Sequence, residues 1–241
     1  MSKEVLNGKN CLLTGASGGI GKEIAKQLVK NNCNIFLTSR TKNNLEKLVL
    51  ELESINHNVK ISYFPSDISN MDGITKLITH VNNTFPTIDI LINCAGTFPI
   101  LSLQNSSLEN FENCFNVNVK APFLLTKEFT KTMIKNQWGR IINIGSSSSY
   151  DGFKDTSIYC ASKHALLGFS RSMFDELKEF NIRTFCISPG SVKTNMAKVL
   201  TNQDFSTFIH PKEIAEMIVF TISFDNEMIS DEIILNRIIK K

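Results

Sequence analysis

Tyr159 and Lys163 stand four residues apart, a spacing that puts both side chains on one face of a helix. A phenol beside an amine is suited to moving a proton at a reacting oxygen. A free phenol has a pKa of about 10 and is a poor base near neutrality, but a neighbouring ammonium favours the phenolate and lowers that value. A second group lies near the start of the chain. There the apolar run Cys11-Leu12-Leu13 leads into Thr14-Gly15-Ala16-Ser17-Gly18-Gly19-Ile20-Gly21. Glycines let a backbone approach a pyrophosphate with no Cβ in the way, and the free N–H groups of a following helix face the anion. A plain structural turn is the alternative reading.

These two groups can act on one molecule only if the fold carries them together, and the apolar pattern describes such a fold. Strand-length runs alternate with helical ones. Ile20 to Val29 has Ile20, Ile24, Ala25 and Leu28 on one helical face. Ile35-Phe36-Leu37 reads as a strand, Leu45 to Leu52 as a helix, and Val59 to Phe64 as a strand ending at Pro65. Ile74 to Val81 is helical and Ile88 to Ile92 is a short buried strand. Phe111 to Met133 reads as helix with a break near Pro122, followed by a strand from Arg140 to Ile144. Ser157 to Phe180 is a long helix carrying Tyr159 and Lys163, and Thr184 to Ile187 is a strand ending at Pro189-Gly190. A helix begins after Pro211, and Ile233-Ile234-Leu235 is the last strand. This alternation predicts an α/β fold, a doubly wound parallel sheet with helices on both faces. No linker or composition shift divides residues 1–241, so a single domain is expected. Ligands then bind beyond the carboxyl ends of the strands, at the turns after Thr14, Leu37, Phe64, Asn93, Ser146 and Ser188.

Composition removes other classes. A chain of 241 residues that is 42% hydrophobic buries a full core and is not disordered. A net charge of +3 with scattered positive residues argues against nucleic acid as a partner. No stretch of 18 apolar residues occurs, so no membrane span is expected. The polar start MSKEVLNGKN has no apolar h-region, so no secretory signal is expected and the protein reads as cytoplasmic. The six cysteines are widely spaced with no C-x-x-C pair, which predicts buried thiols and no metal. His57, His80, His164 and His210 follow no ligand or triad pattern.

In order and distance, the motifs resemble those of the classical short-chain dehydrogenase/reductase family. TGASGGIG is similar to the family's TGxxxGxG turn, and Asn93-Cys94-Ala95-Gly96 resembles its N-N-A-G motif. Asn118 in NVNVKAPF, Ser146 in INIGSSSS, Tyr159 and Lys163 in YCASK, and Pro189-Gly190 in PGSVKT complete the likeness, which runs from residue 8 to about 222. The resemblance implies a Rossmann-type fold and hydride transfer between a nicotinamide and a carbonyl or secondary alcohol. It implies a catalytic set of Asn118, Ser146, Tyr159 and Lys163. Tyr159 is the acid/base. Lys163 lowers its pKa and bonds the nicotinamide ribose hydroxyls. Ser146, at the family's usual separation of 13 residues before Tyr159, holds the substrate oxygen. The assignment within Ser146 to Ser149 is open by one or two positions. Asn118 bends its helix and holds a water behind Lys163.

For the cofactor, the resemblance implies Gly15, Ser17, Gly18, Gly19, Ile20 and Gly21 at the pyrophosphate. Asp67 and Ile68 fall at the adenine, with a turn or cap role beside Ser69 and Asn70 as the alternative for Asp67. Asn93, Ala95 and Gly96 belong to the central turn. Pro189, Gly190, Val192 and Thr194 grip the carboxamide, which implies transfer of the pro-S hydride. Family members preferring NAD carry an acidic side chain after the second strand. Here Arg40 can pair with a 2′-phosphate, so NADP (NADPH) is expected over NAD; a solvated charge is the alternative.

The chain also departs from the family. Cys94 replaces the second asparagine of N-N-A-G. The segment between Thr194 and Pro211 is short, which suggests an open site or a bulky substrate. SDEIILNRIIKK lacks the paired glycines found near the end of many members. Phe98, Tyr150, Phe153 and Met196 are the expected substrate wall, suited to a hydrophobic or ring-bearing small carbonyl compound. Gln137 and Phe180 stand where members acting on acyl carrier protein often carry basic residues. An acidic carrier protein is therefore less favoured; a 3-oxoacyl-thioester reductase is kept as an alternative, as is a catalytically idle dinucleotide-binding protein. Chain length and glycine spacing disfavour a sugar-nucleotide epimerase. A homodimer or homotetramer through Phe111–Lys135 and Ser157–Phe180 is the family default.

Overall fold

Residues 5–200 and 203–238 are described by the computed structural model. Seven strands form one parallel sheet: β1 (Asn10–Thr14), β2 (Asn34–Ser39), β3 (Ile61–Pro65), β4 (Ile90–Asn93), β5 (Gly139–Ile144), β6 (Ile182–Pro189) and β7 (Glu232–Leu235). Their order is β3-β2-β1-β4-β5-β6-β7. The strands are apolar on both faces, as a sheet covered twice requires. Cys11 and Leu13 point to one side and Leu12 to the other, each into its own core. The first core is closed by α1 (Gly19–Lys30), α2 (Lys42–Ile55) and α7 (Pro211–Ile222). The second is closed by α3 (Met71–Thr84), α5 (Ala121–Asn136) and the end of α6 (Ser157–Leu177). The order reverses between β1 and β4, and that opens a crevice at their carboxyl ends.

The predicted elements are present, with corrections at their ends. The single helix expected over Phe111–Met133 is two helices, α4 (Leu108–Phe115) and α5, joined by a π-helical turn over Asn116–Lys120. The irregularity spans Asn116–Lys120, directly before Pro122, so the break expected near Pro122 is present. Pro122 follows helical backbone, so its missing N–H and its ring, which crowds the carbonyl four residues back at Asn118, accord with a widened turn there. The long helix expected to reach Phe180 ends at Leu177 and tightens into a 3₁₀ turn over Lys178–Phe180. Among the described residues no helix is long and apolar enough to cross a membrane.

Candidate active site

The glycine turn is shaped by backbone approaches that leave no room for a side chain. Gly15 takes φ +66°, and a Cβ there would meet the Ala95 backbone at 2.7 Å. The Thr14 hydroxyl accepts the N–H groups of Cys94 and Ala95, each at 3.1 Å, so the turn after β1 is pinned to the turn after β4. A Cβ on Gly21 would lie 2.2 Å from the Gly15 carbonyl oxygen. Helix α1 starts at the turn without a side-chain cap and with no acidic residue in its first turn. Its first N–H groups therefore face the crevice, where an anion is the natural partner.

One cavity of about 1160 Å³ joins this turn to the proton-moving pair. Its wall includes Gly15, Ser17 to Gly21, Gly96, Ser146, Tyr159, Lys163, Pro189, Gly190, Val192 and Thr194. Pockets for drug-sized ligands run to about 1,000 Å³, so this space admits an extended cofactor with a substrate beside it. The residues present thus fit a dinucleotide: an uncapped helix end at one side, glycines at the crevice, and an acid/base pair beyond them.

The pair is held from several sides. Lys163 is buried, and its ammonium donates to the Ile144 carbonyl at 2.7 Å, which aims it along the end of β5. It lies 5.7 Å from the centre of the Tyr159 ring. Phe98 packs against that ring with centroids 4.5 Å apart. The Ser146 hydroxyl faces the same cavity as Tyr159 and accepts the Ser148 N–H at 3.1 Å. Of the four serines, Ser146, Ser147 and Ser148 line the cavity, and Ser146 is the one whose hydroxyl pulls the phenol pKa down. Asn118 works as a clasp. Its carbonyl oxygen accepts the Thr97 N–H at 2.9 Å, and its amide donates to the Thr97 carbonyl and the Ser162 hydroxyl, both at 3.0 Å. The loop after β4 is thereby fastened to α6, and Gly96 fits between Asn118 and Lys163.

Burial pushes the Tyr159 phenol up to about 12, against which the Ser146 hydrogen bond pulls downward. Burial also lowers the Lys163 ammonium. The lowering of the phenol expected from Lys163 is not seen here: removal from water dominates, and the downward pull comes from Ser146. A bound nicotinamide would supply or accept the hydride and, when oxidised, would add a positive charge near the phenol. The arrangement can pass the Tyr159 proton to a substrate oxygen as negative charge develops there, with the Ser146 hydroxyl available to hold that oxygen. A phenol raised above its ordinary value stays protonated through neutrality and is ready to act as an acid. Carbonyl reduction should therefore be flat from pH 6 to 8 and fall only in alkali, whereas alcohol oxidation, which needs phenolate, should rise with pH. Profiles of kcat/KM in both directions check this; a reduction rate already falling through neutrality would contradict it.

The remaining expected residues divide into two groups. Phe98, Phe153 and Met196 line the cavity. Tyr150 does not: its hydroxyl turns to Glu232 at 3.0 Å, where Arg171 holds the carboxylate. A charged partner outweighs a place in an apolar wall. Asn93 is buried and donates to Asn143 across β4 and β5 at 2.8 Å, so its side chain serves the sheet. Ala95 lies behind Gly15. Arg40 is exposed just beyond β2, next to a buried Ser39 hydroxyl that has no partner. Asp67 is exposed beyond β3 and accepts the Ser69 N–H at 3.0 Å, while Ile68 is buried in the second core. Thr97, Ile100, Gln203, Asn236 and Arg237 also line the cavity and were not anticipated. Thr97 and Ile100 flank residues that the N-C-A-G motif already marks. The others come from the chain's last third, where no motif points to them.

Comparison with known proteins gives the class. Residues 9–204 match the family model described as short chain dehydrogenase. The 3-oxoacyl-(acyl-carrier-protein) reductase of Buchnera aphidicola subsp. Acyrthosiphon pisum is 33% identical over 227 residues, covering 90% of this chain and 91% of that one. A metagenomic short-chain oxidoreductase solved in complex with NADP superposes with a TM-score of 0.85 at 27% identity, covering 98% of this chain and 100% of the other. An alcohol dehydrogenase from the archaeon Thermococcus sibiricus, complexed with 5-hydroxy-NADP, superposes with a TM-score of 0.86 at 25% identity, covering 95% and 96%. The chain belongs to the short-chain dehydrogenase/reductase family and is an oxidoreductase.

Proposed function

We propose that the protein is an NADPH-dependent reductase of a carbonyl group on a small, largely apolar molecule, with Tyr159 as the proton donor. One observation carries this reading: an uncapped helix end at a glycine turn shares a single cavity with Ser146, Tyr159 and Lys163. One domain, residues 1–241, holds both cofactor and active site. Ser146 holds the substrate oxygen, Lys163 bonds the nicotinamide ribose, and Asn118 keeps the loop and helix behind them in register. Phe98, Phe153 and Met196 make the substrate wall. The test is a panel of ketones and 3-oxoacyl thioesters, free and on acyl carrier protein, followed by loss of NADPH absorbance. Turnover of none of them would overturn the reading. The Buchnera relative favours a second version in which the carbonyl belongs to a 3-oxoacyl thioester; faster turnover of the carrier-bound thioesters than of free ketones would select it.

NADP over NAD follows from Arg40, which stands exposed past β2 with no carboxylate beside it in sequence or in an ion pair among the described residues. Arg40→Ala should lower kcat/KM for NADPH by roughly tenfold to a hundredfold and leave that for NADH nearly unchanged. An equal loss with both cofactors would deny Arg40 the 2′-phosphate. Exposed Leu108, Phe111 and Phe123 on α4 and α5 support a homo-oligomer built on that face. The six free cysteines support a reducing, cytoplasmic setting.

A further inference from the structure

The cavity wall contains an arginine that neither the proton transfer nor the glycine turn uses. Arg237 follows β7 by two residues, and β7 is tied to the Pro189-Gly190 turn where the Gly190 N–H donates to the Leu235 carbonyl at 2.8 Å. Arg237 is half-buried and lies against the segment between β6 and α7. Its guanidinium carbon sits 5.2 Å from the centre of the buried Phe208 ring, and one terminal nitrogen donates to the Thr207 hydroxyl at 3.1 Å. Two neutral contacts thus fix the plane of the fork without neutralising it. The Asp204 carboxylate, held low first by Ser206 and also by the Arg237 charge, accepts the Ser206 N–H at 2.8 Å, and among the described residues Arg237 forms no ion pair. The same wall carries the apolar side chains of Phe98, Ile100, Met196 and Leu200 and the polar ones of Lys154, Asp155, Asn195 and Gln203.

We propose that Arg237 recognises an oxyanion, a carboxylate or a phosphate ester, on the carbonyl substrate. The proposal rests on the reductase reading and narrows its substrate class to an apolar carbonyl compound with a terminal negative group. A planar guanidinium with two edges of N–H donors left over suits either oxyanion, and stacking on Phe208 pre-organises it. Asn236, beside it in the wall, adds an amide donor.

The test uses matched pairs: 4-oxopentanoate and 7-oxooctanoate against their methyl esters, and dihydroxyacetone phosphate against dihydroxyacetone. Binding to the complex with NADP+ is measured by calorimetry, and kcat/KM with NADPH is measured alongside. Wild-type protein should bind the anionic member of at least one pair more tightly, and which pair does so separates carboxylate from phosphate. Arg237→Gln should weaken that binding by roughly tenfold to a hundredfold and change the neutral partner by less than about threefold. Arg237→Lys should recover part of the loss. Equal weakening of both members would mean that Arg237 only braces the segment at Phe208 and would overturn the proposal. So would a loss of NADPH affinity, which would assign Arg237 to the cofactor, or wild-type indifference to charge. The titration reads Arg237 whether or not any ketone is reduced, so absent turnover strikes the reductase reading alone.

Discussion

Tyr159→Phe should lower kcat by about 10²–10⁴-fold, the usual worth of a positioned proton donor, while NADPH affinity stays within about threefold. The ring would still pack on Phe98, so the wall keeps its shape. Lys163 would still donate to the Ile144 carbonyl and keep its place at the end of β5. Only the phenol hydroxyl, which shares the cavity with Ser146, is lost. Thermal unfolding and fluorescence titration with NADPH separate this outcome from misfolding. Wild-type turnover by the variant would remove Tyr159 from the chemistry.

Gly21→Ala should cost about 1–3 kcal/mol of stability, the range for forcing an extra carbon into a packed site. Tm should drop by about 2–4 °C for each kcal/mol. The added Cβ would sit 2.2 Å from the Gly15 oxygen and 3.0 Å from the Ala16 Cα, and backbone atoms cannot step aside as a side-chain tip can. Relief requires the turn to move away from α1, which spoils the N–H groups aimed at the phosphates. NADPH affinity should therefore fall by tenfold or more, about 1.4 kcal/mol or above. Gly152→Ala is the control, because a Cβ there meets nothing within 4 Å. Equal behaviour of the two variants would deny the turn its role.

Much of this site could be read locally. The spacing of Tyr159 and Lys163 fixes their shared face once a helix is granted, and the glycine turn declares itself by following an apolar run. What stayed hidden depends on contacts between distant parts of the chain. Arg237 reaches the cavity only because β7 pairs with β6 in a register that sets Leu235 beside Pro189. Tyr150 leaves the wall for Glu232, a partner 82 residues away. The partners that the Asn118 amide serves, Thr97 and Ser162, lie 21 and 44 residues away, a pairing no local propensity encodes. The phenol's raised pKa likewise follows from tertiary burial, which a sequence does not display.

The chain has three tyrosines, Tyr63, Tyr150 and Tyr159, so ring-carbon NMR of protein labelled at tyrosine Cζ can follow each phenol, with Tyr159→Phe assigning the critical signal. With NADP+ bound, Tyr159 should titrate at lower pH than in the free protein, where burial holds it up to about 12, while Tyr63 and Tyr150 stay as they were. A Tyr159 signal that NADP+ leaves unmoved would place the phenol away from the nicotinamide and undo the active site described above.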